Sequence, residues 1–213
     1  MNKIKLDKIN LSINKNNILS NVSTSFSSGI ITGIIGPNGS GKTSLLKILS
    51  GISNSTKGIT SLNNKNIENF KKLELAKKIA YLPQEINIAW PLTVYNTVMI
   101  GLTPYSSLEL NHLDRKKRVT KILKELNLID FSSVSVTKLS TGERSRVCFA
   151  RALVGNPNFL IADEPVSSLD PFYQLSTLEL IRERVKSGMG AIIVLHDISL
   201  AKRYCDKVVY KGR

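Results

Sequence analysis

The sequence predicts an α/β fold in which a parallel sheet is interrupted by an inserted run of helices. Short apolar runs of strand length alternate with helical segments, and this alternation favours a parallel sheet with right-handed crossovers. A glycine-rich loop stands between a predicted strand and a predicted helix, as in nucleotide-binding α/β folds. The stretch at about 85–155 is mostly helical and reads as the insertion. A length of 213 residues suits one domain.

The first part of the chain supplies strands and one helix. Strands are expected over Ile4–Ile13 and Val22–Phe26, with Asn and Ser turns between them. The apolar run Gly29–Ile35 ends in glycine and predicts a buried strand. Thr43–Leu49 carries leucines at helical spacing and predicts a helix, and Ile79–Leu82 predicts a further strand.

The middle of the chain, from Thr93 to Leu153, is predicted to be mostly helical. One helix there places apolar residues such as Val119 and Leu123 on one face and the basic run Arg115–Arg118 largely on the other. Strands and helices then alternate again. The predicted elements are strand Phe159–Asp163, helix Pro171–Lys186, strand Ala191–Leu195, a short helix near Ser199–Tyr204 and strand Val208–Tyr210.

Composition excludes several classes of protein. Hydrophobic residues make up 42% of the chain, which is too many for a disordered protein. No apolar run reaches the length of a membrane span, and the first residues lack the apolar core of a secretory signal. Two cysteines cannot form a disulfide framework, so a soluble cytosolic protein with reduced thiols is expected. The formal charge of +14 comes from scattered residues, which favours a Lys-rich solvated surface over nucleic-acid binding.

The glycine-rich loop has the chemistry of a phosphate-binding loop. Its glycines let backbone N–H groups point at phosphate oxygens, and the following helix adds the positive end of its dipole. Lys42 would reach the β- and γ-phosphates, and the Thr43 hydroxyl would ligate Mg²⁺. The candidate loop residues are Gly36, Pro37, Asn38, Gly39, Ser40, Gly41, Lys42, Thr43 and the following Ser44.

A second motif, at the end of a predicted strand, also fits a site for a magnesium-bound nucleotide. The predicted strand from Phe159 ends in Asp163 and Glu164, and ligands of open α/β sheets bind at the carboxyl ends of strands. Asp163 can hold Mg²⁺ and Glu164 can orient or deprotonate an attacking water. With the phosphate loop, this strand predicts a Mg-nucleotide hydrolase.

Further motifs follow in a fixed order. Ser140 and Glu143 fit the S-x-x-E capping box of a helix start. Gln84 lies upstream, and the turn ending at Asp170 and the strand-end His196 lie downstream. This ordered series resembles the ATP-binding subunit of ABC transporters over essentially the whole chain. The segment aligned with the family's LSxGE signature, called the signature segment here, consists of Leu139, Ser140, Thr141, Gly142 and Glu143.

The resemblance implies a fold and a set of roles. The fold is a P-loop NTPase with a RecA-like core at about 1–84 and 156–213, N-terminal antiparallel strands and an inserted helical lobe at about 85–155. Two subunits enclose two ATP molecules head to tail, so the signature segment serves the partner's phosphate loop. Gln84 senses the γ-phosphate and Mg²⁺, Glu164 is the catalytic carboxylate, His196 clamps the γ-phosphate and Asp170 lies at the dimer seam.

The resemblance also implies partners and a location. The stretches Trp90–Val94, Val98–Gly101 and Ala162–Val166 look like the importers of iron chelates (siderophores), haem and cobalamin, while the first also resembles zinc and manganese importers. A homodimer would sit at the cytoplasmic face of the inner membrane, beneath transmembrane permease subunits. A periplasmic or surface substrate-binding protein would act through the permease.

Two departures from the family pattern keep other hypotheses open. Thr141 stands where the family usually has glycine, and the turn Asn14–Asn17 lacks the aromatic residue that usually stacks on adenine. A degenerate, non-hydrolysing subunit is therefore one alternative, against which Gln84, Glu164 and His196 argue. A soluble ABC ATPase acting on nucleic acid or ribosomes is another, which the net charge suits but the single phosphate loop disfavours.

Overall fold

The chain folds around two β-sheets in the computed structural model, which describes residues 1–14, 16–85 and 91–212. The strands are β1 (Lys3–Ile13), β2 (Asn16–Ser27), β3 (Ile31–Ile35), β4 (Lys57–Leu62), β5 (Lys65–Asn66), β6 (Ile79–Leu82), β7 (Phe159–Ala162), β8 (Gly190–Val194) and β9 (Lys207–Tyr210). The α-helices are α1 (Lys42–Leu49), α2 (Lys72–Lys78), α3 (Val94–Met99), α4 (His112–Glu125), α5 (Thr141–Leu153), α6 (Pro171–Lys186) and α7 (Ile198–Tyr204).

The antiparallel sheet has the strand order β2-β1-β4-β5, so the predicted N-terminal antiparallel strands are confirmed. β2 begins earlier than predicted, because its main chain pairs with β1 from Asn16 onward despite several asparagines. Asn21 adopts a φ of +51°, a conformation that asparagine tolerates better than most residues. The strand β4 was not predicted.

The second sheet has the order β6-β7-β8-β3-β9, and its neighbouring strands pair in parallel. The predicted α/β class is therefore confirmed. Side chains alternate between the two faces of β7: Phe159 and Ile161 enter one hydrophobic cluster, and Leu160 and Ala162 enter the other. The sheet is buried on both sides, as parallel sheets usually are.

The two faces of this sheet are covered by different elements. The cluster on one side contains α1 and the inward residues of the antiparallel sheet. The cluster on the other side contains α3, α4, α5, α6 and α7. The helices between β6 and β7 thus share one hydrophobic cluster with the sheet, and the division into a core and a helical lobe stays a prediction. No helix of the described residues is both long and apolar enough to cross a membrane.

The helices of the middle segment approach closely at Gly101, in the 3₁₀ turn after α3. A Cβ there would lie 2.2 Å from the carbonyl oxygen of Arg151 and 2.6 Å from Cγ1 of Val154, both near the end of α5. We expect Gly101→Ala to destabilise the fold by about 1–3 kcal/mol, because the helix backbone must shift. Urea unfolding measures this, with exposed Thr103→Ala as the control. Equal midpoints for the two variants would contradict the prediction.

Candidate active site

The glycine-rich loop joins the end of β3 to the start of α1, as predicted. Gly41 precedes the helix with a φ of +89°, which side-chain-bearing residues rarely adopt. A Cβ at Gly36 would lie 2.2 Å from the carbonyl oxygen of Lys211. Glycine at these two positions allows the sharp turn and the close packing against the chain that follows β9.

Lys42 is held inside this loop. Only 7% of its surface is exposed, and its Nζ donates to the carbonyl oxygens of Gly36 at 2.9 Å and Pro37 at 3.0 Å. The Oγ of Ser40 is buried and has no hydrogen-bond partner among the described residues. The loop therefore holds a cation and an unpaired hydroxyl, two groups that phosphate oxygens bind readily.

Thr43 and Asp163 come together although they lie far apart in the sequence. The Thr43 hydroxyl donates to Oδ2 of Asp163 at 2.6 Å. Asp163 is 2% exposed, and its burial raises the pKa of the carboxyl, although the Thr43 hydrogen bond opposes that rise. A hydroxyl and a carboxylate at the end of β7 are the oxygen ligands that Mg²⁺ prefers.

Glu164 meets Gln84 and His196 at the same edge of the sheet. Its Oε2 accepts a hydrogen bond from Nε2 of Gln84 at 3.0 Å, and its Oε1 lies 2.5 Å from Nε2 of His196. Glu164 has a φ of +52°, an uncommon conformation for a non-glycine residue. The backbone turns sharply there and carries the carboxylate beside Gln84 and His196, two site residues that the resemblance implied without predicting their contact with Glu164.

A cleft of about 620 Å³ connects the loop with the Glu164 cluster. Phosphate-loop, strand-end and N-terminal sheet residues form its walls. The lining residues are Ile18, Asn38, Gly39, Gly41, Lys42, Thr43, Ser44, Gln84, Glu164 and His196.

The signature segment begins α5, and the predicted capping box is confirmed. The Ser140 hydroxyl accepts from the Glu143 backbone N–H at 3.3 Å, while the Glu143 carboxylate accepts from the Ser140 backbone N–H at 2.8 Å. The Ser140 hydroxyl also donates to the Glu143 carboxylate at 2.7 Å, and this hydrogen bond, followed by the one from the Ser140 backbone N–H, lowers the pKa of Glu143. Among the described residues that line the cleft, none belongs to the signature segment. Thr141 is exposed at the first position of the helix.

The remaining predicted residues are placed as follows. Asp170 is exposed and caps α6, since its carboxylate accepts from the Tyr173 N–H at 3.2 Å. Trp90, used to identify the subfamily, and Lys15 of the asparagine-rich turn lie outside the described residues. Sequence reasoning missed Ile18, which lines the cleft beside Gly41. An isoleucine in a strand of alternating apolar and polar residues gives no local indication that it lines a binding cleft.

A P-loop between strand and helix, with paired acids at the end of the parallel strand β7 of the same sheet, defines a P-loop nucleotide hydrolase. The family described as ABC transporter matches residues 19–167. An ATP-binding cassette solved as a dimer in a post-hydrolysis state bound to ADP and Pi has a TM-score of 0.87 and 28% identity, covering 98% of this chain and 94% of that one. The chain belongs to the ABC transporter family as an ATP-binding subunit, and its enzyme class is ATPase.

Relatives with curated names agree with this membership. An uncharacterized ABC transporter ATP-binding protein of Methanocaldococcus jannaschii is 36% identical over 97% of this chain and 81% of its own length. A hemin import ATP-binding protein of Rhizobium meliloti is 35% identical over 97% of this chain and 80% of its own length. A cobalamin import ATP-binding protein of Halobacterium salinarum is 34% identical over 90% of this chain, which spans 48% of that protein.

Proposed function

We propose that the chain is the ATP-hydrolysing subunit that powers an importer of iron chelates, haem or cobalamin. The observation that carries the proposal is the convergence of Gln84, Glu164 and His196 on one cleft with the phosphate loop. The hemin and cobalamin import proteins among its relatives support the cargo class. A zinc or manganese importer is the alternative cargo.

In this proposal, ATP binds with its phosphates in the loop Gly36–Ser44. The left-handed glycines and the start of α1 point backbone N–H groups inward. Lys42 has two neutral carbonyl acceptors in the structure, and an anionic phosphate is a stronger acceptor for its ammonium. The cleft of about 620 Å³ has room for a nucleotide.

The chemistry of hydrolysis is assigned to the edge of the parallel sheet. Thr43, Asp163 and Gln84 would hold Mg²⁺, which supplies positive charge to the phosphate oxygens. Glu164 accepts the proton of the attacking water or orients that water. Gln84 and His196 fix the position of this carboxylate through their contacts with its two oxygens, and His196 is 48% exposed and therefore accessible to the γ-phosphate.

A head-to-tail homodimer is part of the proposal. The signature segment is absent from the described lining of the chain's own cleft, and its Ser140 stands at a helix N-terminus suited to phosphate. The dimeric cassette structures among its relatives support such an assembly. Asp170 would lie at the dimer seam.

We expect a Ser140→Arg subunit and a Lys42→Ala subunit to complement each other. Each variant alone has two defective composite sites. A mixed dimer collects both changes in one site and leaves the other intact. Light scattering with Mg-ATP measures dimer formation, and mixing two Ser140→Arg preparations is the control. If the mixture dimerises no better than either variant alone, the head-to-tail arrangement is wrong.

The proposed partners are two transmembrane permease subunits and, through them, a periplasmic or surface substrate-binding protein. The chain would then act as a peripheral protein at the cytoplasmic face of the inner membrane. The described lining of the cleft consists mainly of the residues assigned here to phosphate binding and hydrolysis. Cargo specificity is therefore assigned to the permease and the binding protein.

Reconstitution tests the cargo. The chain is co-purified with the permease subunits that bind it in its own cell, and uptake into proteoliposomes is compared for haem, a ferric siderophore, cobalamin, Zn²⁺ and Mn²⁺. We expect Mg-ATP-driven uptake of one of the first three. Uptake of Zn²⁺ or Mn²⁺ instead would establish the alternative cargo, and lack of ATP hydrolysis by the chain would overturn the function itself.

A further inference from the structure

Arg146 is a buried cation that connects three helices. It lies on α5, three residues beyond Glu143, and 4% of its surface is exposed. Its Nη1 donates to the carbonyl oxygen of Leu126 at the end of α4, at 2.9 Å. Its guanidinium carbon lies 3.8 Å from the ring centre of Tyr173 in the first turn of α6. In the described part of the chain, no carboxylate lies within ion-pair distance of Arg146, although its charge helps to lower the pKa of the nearby Glu143 carboxyl. The Nε of Arg146 has no hydrogen-bond partner among the described residues.

This environment is an expensive one for a charged side chain. Burying a cation without a carboxylate costs free energy, and an apolar side chain would fill the same space without that cost. Unlike an apolar side chain, the guanidinium makes contacts that depend on its orientation. It lies over an aromatic face, and its N–H groups require an acceptor at a set position. Arg146 therefore fixes the position of α5 relative to the first turn of α6.

A second contact joins the same two regions at the surface. The hydroxyls of Ser145 and Ser168 are hydrogen-bonded at 2.7 Å. A Cβ at Gly142 would lie 3.4 Å from the carbonyl oxygen of Ser168, so the first turn of α5 lies directly against the loop that follows β7. The signature segment is thus held by residues that follow β7.

The loop after β7 leads from these contacts back to Glu164. We call residues Glu164–Asp170 the connecting turn. Within it, the N–H and the hydroxyl of Ser167 both donate to the carbonyl oxygen of Glu164, at 3.3 and 3.1 Å. At its other end, Asp170 accepts from the N–H of Tyr173 at 3.2 Å. Tyr173 is thereby tied to Glu164 through one short, hydrogen-bonded turn.

We propose that Arg146 is a positioning residue that makes the signature segment and the connecting turn move as one body, through Tyr173 and Ser168. The consequence of this joint rests on the proposed function. In a head-to-tail dimer, each Glu164 serves its own phosphate loop while each signature segment serves the partner's. The joint would therefore carry the response to ATP from one site to the other.

Hydrogen exchange of the full chain tests the joint without nucleotide. Tyr173→Leu removes the aromatic face, and we expect the amides of residues 143–146 to exchange about tenfold faster while those of α1 keep their rate. Tyr173→Phe keeps the ring and should match the unaltered chain. Ser168→Ala, an exposed change that does not threaten folding, should give a smaller increase in the same residues. Unchanged exchange over 143–146 in Tyr173→Leu would overturn the inference.

Adding Mg-ATP distinguishes a positioning role of Arg146 from a merely stabilising one, because only a positioning role couples the exchange of the two segments. At a concentration that keeps the chain monomeric, we expect ATP to slow exchange in both the connecting turn and the signature segment. In Tyr173→Leu it should slow exchange in the connecting turn alone, with an unchanged ATP Kd. An equal response of both segments in that variant would contradict the joint. If ATP alters exchange nowhere in the unaltered chain, the proposed function fails, and the comparison without nucleotide still decides the inference.

Discussion

Glu164→Gln is expected to keep ATP binding and to lose hydrolysis by about 10²–10⁴-fold, the usual contribution of a positioned general base. The glutamine is nearly isosteric with glutamate. Its carbonyl oxygen can still accept from Gln84, and its amide can donate to an unprotonated Nε2 of His196. The geometry of the cleft should therefore survive while the charged proton acceptor is lost.

Slow hydrolysis should also trap the dimer. Two unhydrolysed ATP molecules would hold the subunits together. Size exclusion with Mg-ATP should therefore show a stable dimer, and a phosphate-release assay should show a low rate. Glu183→Gln on the exposed side of α6 is the matched control and should hydrolyse normally. Near-normal turnover in Glu164→Gln would remove Glu164 from its role, and His196 would be the next candidate.

Lys42→Ala is expected to weaken ATP binding by about 10–100-fold, which corresponds to the loss of charge-assisted hydrogen bonds to phosphate. Hydrolysis should fall by a further 10²–10³-fold or so, since the cation also stabilises the charge that develops on the transferred group. The structure places this ammonium inside the loop, where no other lysine lines the described part of the cleft.

Calorimetry with ATP and a phosphate-release assay measure these two losses separately. Lys72→Ala is the matched control, because Lys72 is an exposed lysine on α2 and does not line the cleft. Lys42→Ala also leaves the carbonyl oxygens of Gly36 and Pro37 without the ammonium that donates to them. Thermal unfolding should therefore accompany the assay to show that the fold is intact. Unchanged ATP affinity would contradict the phosphate-loop assignment.

The features that could be predicted from the sequence are those with a local signal. The glycine spacing of the phosphate loop, the four apolar residues of β7 and the S-x-x-E pattern at Ser140 each lie within a few residues. Each of these elements is confirmed. The roles of the site residues in catalysis and binding stay predictions until the variants are measured.

The features that were missed lack such a signal. α2 has no buried residue, so its sequence shows no apolar face at helical spacing. β4 contains Gly58 and has only Thr60 and Leu62 buried, and it is held mainly by pairing with β1. The stacking of Arg146 on Tyr173 depends on how α5 and α6 pack, which no single segment records.

The strand order also means that the phosphate loop is synthesised before the strands that flank β3. β3 is hydrogen-bonded to β8 and β9, with Ile31 opposite Ala191 and Thr32 opposite Lys207. During synthesis the N-terminal part of a chain leaves the ribosome first, and pairings between distant segments form slowly. The loop is therefore made early but gains its supporting strands only after β8 and β9 have been synthesised. A nascent chain that binds ATP would thus report that its parallel sheet is complete.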